Sequence, residues 1–285
     1  MTDDAPIVAF ITTIRHPLNS TDYPSVQRLA HESVTSWLGQ TDSRFVIIVV
    51  SNEPVPVPTD PRVHPLLVSF PPPSSRQTPR TGLEAVLRDK GTKNAIGLTR
   101  ARELGAEYVM FVDADDFIAR EITAFVAAHR GAAGWTVTDG WRVQLERRAL
   151  RRHRGDFHLQ CGSSHIVRAD LLPPTSHGVT ASQEQLYAEQ GELLERRLGS
   201  HMHLHDDLPL VPLPFPGALY RVGTSQSHSG NALGGWSRPI SKRIADRFGV
   251  PATGLSPVAI ARASLPSTRA VRERARLLLH GLRRR

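Results

Sequence analysis

The sequence predicts an α/β protein whose first half is built around a mostly parallel sheet. Two observations carry this. Three short apolar runs, "IVAFITTI" (7–14), "FVIIVVSN" (45–52) and the start of "YVMFVDADD" (108–116), each end in polar residues, as buried strands do. Helical spacing precedes the second and third runs, and strands separated by helices join in parallel.

The first helix lies within residues 25–40, where Val26, Leu29, Ala30, Val34, Trp37 and Leu38 fall on one face and Gly39 supplies a stop. From Glu53 to Arg80 the prolines of "PVPVPTDP" and "FPPPSSRQTP" predict extended loop, with a short strand at "HPLLVSF". The second helix is expected over Thr92–Leu104, carrying Ile96, Leu98, Ala101 and Leu104 and ended by Gly105. Strands therefore end near Thr13, Asn52 and Asp113, and in open α/β sheets ligands gather at such carboxyl ends. Beyond residue 118 the pattern becomes mixed. It predicts a helix at Glu121–His129, a strand pair around "GWTVTDGWRVQLE", a strand around "HLQCGSSHIVR" and a helix over "EQLYAEQGELLERRLG", before proline-rich Pro209–Pro216.

With 285 residues, 40% of them hydrophobic and 22% charged, the chain can bury a substantial core and reads as an ordinary globular protein. Its single cysteine, Cys161, excludes an internal disulfide and a zinc-thiolate centre. The acidic N-terminus lacks the basic start of a secretory signal, and no apolar run reaches the roughly 20 residues that span a bilayer. The expected location is the cytoplasm, or a membrane face. A net charge of +8 favours anionic partners. Arginines crowd residues 146–155 and the tail after Ser264, but base-stacking aromatics are scarce there and no nucleic-acid module is present. In the tail, Val271, Ala275, Leu278, Leu279 and Leu282 form one helical stripe flanked by arginines. Such a helix suits peripheral contact with an anionic membrane, or docking on the protein body.

In "YVMFVDADDFIAR" a buried strand runs into Asp113, Asp115 and Asp116. An Asp-x-Asp there suits a hard cation, Mn²⁺ or Mg²⁺, bound to a diphosphate whose oxygens complete the shell. The alternative is a polar turn in which Asp115 and Asp116 cap the next helix. Asp116, one residue further on, should point away from the metal side.

The segment "GTKNAIGLTRARELGAEYVMFVDADD" resembles family 2-like GT-A glycosyltransferases, in which a basic-Asn pair opens a helix and a DXD motif ends the strand that follows. The resemblance covers residues 6–118 well and 119–230 more loosely. It implies a GT-A-like single domain: a nucleotide-sugar-binding half at 1–118, an acceptor and catalytic half at 119–235, and a basic helical tail at 236–285. It implies a metal-dependent, inverting enzyme that moves a sugar from a nucleotide-diphosphate sugar to a hydroxyl acceptor, whether glycan, lipid-linked or small molecule. By the same resemblance Thr12, Thr13, Arg15, Asn52, Glu53, Lys93, Asn94, Asp113, Ala114 and Asp115 meet the nucleotide-sugar. Asp113, Asp115 and His228 hold the metal, and Asp207 or Asp206 is the base that takes the acceptor proton. Ser163, Ser164 and His165 face the acceptor. Two departures are plain: Thr12-Thr13 replaces a proline common after the first strand, and Asn52-Glu53 replaces an aspartate after the second.

His201, His203 and His205 alternate, but neighbouring histidines without a matching third group read as surface or hydrogen-bonded residues. Three rivals remain. A haloacid-dehalogenase-like phosphatase would want its motif on the first strand and Thr or Val in place of Phe117. A nucleotidyltransferase joins the same kind of sheet to metal carboxylates, and a non-catalytic relative would bind a nucleotide-sugar without turnover.

Overall fold

The computed structural model describes residues 5–76, 82–206, 208–224, 233 and 236–265. Its strands are β1 (Val8–Thr13), β2 (Phe45–Ser51), β3 (Val63–Leu67), β4 (Tyr108–Phe111), β5 (Phe117–Ile118), β6 (Gly134–Thr136), β7 (Asp139–Gln144), β8 (Ala149–Arg154), β9 (His165–Arg168), β10 (Val211–Pro212), β11 (Ala218–Arg221) and β12 (Arg238–Pro239). Its α-helices are α1 (Tyr23–Trp37), α2 (Leu83–Glu103), α3 (Ile122–Ala128), α4 (Gln183–Gln190), α5 (Lys242–Phe248) and α6 (Pro257–Ser264).

The main sheet runs β10-β6-β9-β4-β1-β2-β3, and its β4-β1-β2-β3 portion is parallel throughout. The chain winds outward from β1 through β2 to β3, then returns by α2 to pair β4 on the other side of β1. The strand order therefore reverses between β1 and β4, and in open α/β sheets that reversal opens a crevice at the carboxyl ends. Strands β1, β2 and β4 are apolar at nearly every position because helices cover both faces. On one face, α1 packs Val26, Ala30, Val34 and Trp37 against Val8 and Phe10. On the other, α2 packs Ala95, Ile96, Leu98 and Ala101 against Ala9 and Ile11. Asp22 caps α1 by accepting from the Ser25 N–H at 3.1 Å, with Pro24 in the first turn.

A second sheet, β12-β8-β7-β11-β5, lies beyond. The strand pair expected around "GWTVTDGWRVQLE" is no hairpin: β6 joins the main sheet through β9, whereas β7 joins the second sheet through β8 and β11. The arginine-rich stretch, read in the sequence only as charge, is strand β8. In "HLQCGSSHIVR" only His165–Arg168 is strand, and a 3-10 turn at Phe157–Leu159 precedes it. The long helix expected over 184–199 stops at Gly191, which turns with φ 55°, and resumes as a π-helical stretch over Leu194–Gly199.

The largest correction concerns α2, which begins at Leu83 instead of Thr92. The helix runs through Gly91, where the 194–199 segment lies directly against its backbone. A Cβ on Gly91 would meet the Leu194 carbonyl at 2.5 Å, and the reciprocal glycine, Gly199, is closed off by Leu87. Both glycines serve close approach. Gly91→Ala should therefore force the two segments apart and cost roughly 1–3 kcal/mol, the usual penalty of overpacking. Chemical denaturation should show it as a lower midpoint at unchanged slope.

Candidate active site

A cavity of about 440 Å³ opens at the strand-order reversal between β1 and β4. Thr13, Ile14 and Arg15 reach it from the end of β1, and Asp113, Ala114 and Asp115 from the end of β4. Lys90 enters from α2, Gly162 and His201 from the second half, and Tyr220 from β11.

Lys90 was not singled out in the sequence, yet its Nζ donates to Asp113 Oδ1 at 2.5 Å. The signal was present in "DKGTK", where two lysines stand three apart on one helix, and the reading took the wrong one. Lys93 is fully buried, donating at 2.9 Å to both the Ile14 carbonyl and Asp89 Oδ2. It ties α2 to the end of β1. Asn94 is likewise internal, giving its Nδ2–H to the Leu198 carbonyl at 2.6 Å. Lys93-Asn94 therefore sits mid-helix as a structural pair, where it had been expected to open the helix towards the nucleotide-sugar.

Other expected contacts are also redirected. Asn52 donates to the carbonyls of Val68 and Phe70 at 3.3 and 2.9 Å, bracing the chain after β3, and neither Asn52 nor Glu53 lines the cavity. Thr12 is buried away from it, with an unpartnered Oγ1. Ser163, Ser164 and His165 are buried and do not line it. Asp206 is part-exposed and held by His203 Nδ1 at 2.8 Å, outside the cavity. Asp207, His228 and the 271–282 stripe lie outside the described residues.

The three acids have different environments. Burial raises the Asp113 carboxyl, but the charge and hydrogen bond of Lys90, with His201 and the Gly162 N–H, more than offset this and hold it below its usual range. Gly162 lies against this carboxylate, and a Cβ there would meet Asp113 Oδ2 and push the side chain aside. Asp115 is pushed up to about 6, first by burial and then by Asp113, against the pull of Arg221 and Arg15. Asp116 is fully buried and raised well above the carboxylate range by burial, Asp115 and Asp113. Its Oδ2 accepts from Ser163 Oγ at 2.7 Å and Cys161 Sγ at 3.2 Å, and its Oδ1 from the Arg221 N–H at 3.0 Å. Asp116 does not cap α3, whose N-cap is Glu121.

Arg15 faces Asp115 across the cavity with its Nη1 unpartnered, and burial lowers its pKa. Behind Asp113 stand four histidines. Rings of His158, His165 and His205 lie 5.0–6.2 Å apart, and His158 Nδ1, His165 Nε2, His201 Nε2 and His205 Nδ1 are buried without partners. Burial, then the neighbouring histidines, lowers His165 to about 3, so its ring is neutral. Among the described residues no three His, Cys, Asp or Glu side chains are arranged to hold a metal ion.

The sequence matches no protein-family model and no curated protein. Among solved structures it is similar to S. aureus TarS 1-349 in complex with UDP-GlcNAc at 12% identity, covering 80% of this chain and 62% of that one, with a TM-score of 0.41. A second S. aureus TarS structure gives 14% identity, 77% and 37% coverage and a TM-score of 0.39. HddC from Yersinia pseudotuberculosis complexed with GMP-PN gives 11%, 76%, 90% and 0.32. The chain thus spans 37% and 62% of the TarS chains it matches, and at these scores the likeness carries no functional argument.

Two outcomes follow from the site's electrostatics. The folded state holds the Asp115 proton more tightly than the unfolded chain does, so this contribution to stability is complete below about pH 4 and lost as pH rises through about 6. In chelator, Asp115→Asn should be more stable than the parent at about pH 8, by roughly 3 kcal/mol, and the gap should close towards pH 4. Lys93→Met strands the buried Asp89 carboxylate and should cost about 3–5 kcal/mol. Urea denaturation measures that loss.

Proposed function

We propose that this protein is a metal-dependent glycosyltransferase of GT-A-like architecture that moves a sugar from a nucleotide-diphosphate sugar to a hydroxyl acceptor. One observation carries the reading: Asp113 and Asp115 project from the end of β4 into a cavity at the strand-order reversal, where Arg15 and Lys90 supply facing cations. That pairing of acids and bases suits a diphosphate accompanied by a divalent cation.

The acid pair fits such an ion in donor type. Oxygen ligands suit Mn²⁺ or Mg²⁺, and Asp115, raised by burial and then by the negative charge of Asp113, is the carboxylate an added cation would relieve. Asp113 and Asp115 would hold it together with the donor's phosphate oxygens and, by the family resemblance, His228. When bound, the metal neutralises the leaving diphosphate.

The chain's own residues do the rest. Arg15 and Lys90 oppose the charge that grows on the diphosphate as its bond to the anomeric carbon breaks. The acceptor oxygen forms its bond to that carbon from the opposite side, inverting the centre, and its proton passes to a carboxylate, which we assign to Asp207. Asp206 is a weaker choice for that role, because its carboxylate is already committed to His203. The 1–118, 119–235 and 236–285 division is retained as the proposal for how donor half, acceptor half and tail share the work. No helix among the described residues is long and apolar enough to cross a membrane, and peripheral contact through the tail stays part of the proposal.

Calorimetry with a panel of nucleotide-sugars, in Mn²⁺ and in chelator, tests the reading. Donor binding should require the metal and vanish in Asp115→Ala. Lys90→Met should weaken it about tenfold or more, as loss of a charge-assisted contact does. Asp207→Asn should bind donor normally while transfer falls roughly 10²–10⁴-fold. Metal-independent binding, or diphosphate release during nucleotidyl transfer, would sink this assignment.

A further inference from the structure

The second sheet carries a groove that shares no residue with the cavity. It has a volume of about 420 Å³, and among its lining residues are Trp141, Arg152, Arg238, Arg243 and Arg247. Among the described residues, no aspartate or glutamate lines it. We propose that this groove is a separate binding site for the phosphate group of a larger ligand.

The four arginines are not equivalent. Arg152 is held by the Asp139 carboxylate through Nε and Nη2, and Arg247 Nε donates to Glu121 at 3.1 Å. Among the described residues, neither Arg238 nor Arg243 has a carboxylate partner. Arg238 instead lies over the Trp141 ring, 4.1 Å from its centroid, and Arg152 stands 5.4 Å from the same centroid. Two guanidinium groups thus converge on one indole; Asp139 balances Arg152, while Arg238 has no carboxylate partner among the described residues. Burial, then the charges of Arg152 and Arg154, lowers the Arg238 pKa, in keeping with that excess.

Trp141 adds a second, independent observation. It is 2% exposed, and its Nε1–H is buried with no hydrogen-bond partner. Buried donors are normally satisfied, so an orphan N–H on the indole that the uncompensated Arg238 covers marks the place of an acceptor. A phosphate suits this better than a carboxylate, because its several oxygens can accept from two guanidinium forks and an indole N–H at once. The groove is larger than one inorganic phosphate requires, so the phosphate is an ester with room for its substituent.

Position separates this site from the chemistry. Trp141 on β7 pairs with Leu219 on β11, and the next residue, Tyr220, lines the catalytic cavity. Neighbouring strand residues point to opposite faces, so the two sites lie back to back across one sheet. A phosphate held here tethers its carrier without blocking the cavity. The carrier is either a soluble phosphate ester or a phospholipid headgroup.

The test uses the full chain at fixed ionic strength, with two probes: a soluble phosphate monoester, glycerol 3-phosphate, by calorimetry, and phosphatidylglycerol-containing vesicles by co-sedimentation. At least one probe should bind, and the one that does identifies the source. Arg238→Gln with Arg243→Gln should weaken that binding about tenfold or more, and Trp141→Phe, which keeps the ring but removes the N–H, should weaken it several-fold. A control pair, Arg28→Gln with Arg196→Gln, removes equal charge from exposed positions and should change binding less than twofold. Lys90→Met should also leave it intact. The proposal is overturned if neither probe binds the parent, if the control pair loses as much as the groove pair, if Trp141→Phe binds like the parent, or if Lys90→Met abolishes binding.

Discussion

The buried carboxyl of Asp116 is the point on which the rest of the site hangs. It collects a hydroxyl from Ser163, a thiol from Cys161 and a backbone N–H from Arg221, while its own carbonyl accepts from Trp37 Nε1 at 3.0 Å. One residue thereby joins α1, the 161–164 loop, β11 and the loop after β4. A buried carboxyl with several donors is costly to assemble and rigid once assembled. Ser163 extends this network, since its Oγ also accepts the Asp113 N–H at 2.9 Å. The two cavity acids are thus fixed from behind, leaving their carboxylates to face the cavity.

Charge in the cavity is deliberately unequal. Lys90 compensates Asp113 directly, while Asp115 has only the more distant help of Arg221 and Arg15. Arg221 is itself engaged by Glu32 at 2.8 Å and lies over Phe117, so its charge is fixed in place. The result is one carboxylate held below its usual range and one pushed up to about 6 by burial and by Asp113.

The second sheet distributes its arginines by a different logic. On β8 and β12 they stack on Trp141 or pair with acids at the groove edge. The net positive charge of the chain is therefore shaped locally, with Arg15 and Lys90 at the cavity between β1 and β4 and a second group of arginines across the sheet from it. The two groups have different neighbours: carboxylates in the first, an indole in the second.

The sequence by itself determined the α/β class, the three central parallel strands and the placement of Asp113 and Asp115 at a strand end, because apolar runs and helical spacing are local signals that survive folding unchanged. It did not determine which lysine of "DKGTK" reaches the acids. Lys90 and Lys93 have the same local propensities, and only the packing of α2 against β1 and the 194–199 segment buries one and turns the other into the cavity. The role of Gly91 within α2 was hidden for a related reason: a glycine that ends a helix and one that admits a neighbouring backbone look alike until the neighbour is present. Likewise β6 and β7, two residues apart in sequence, went to different sheets because their partners lie tens of residues away. Side-chain burial, ion pairing and strand partnership are long-range properties, so the identity of the groups facing the cavity was decided only by the tertiary structure.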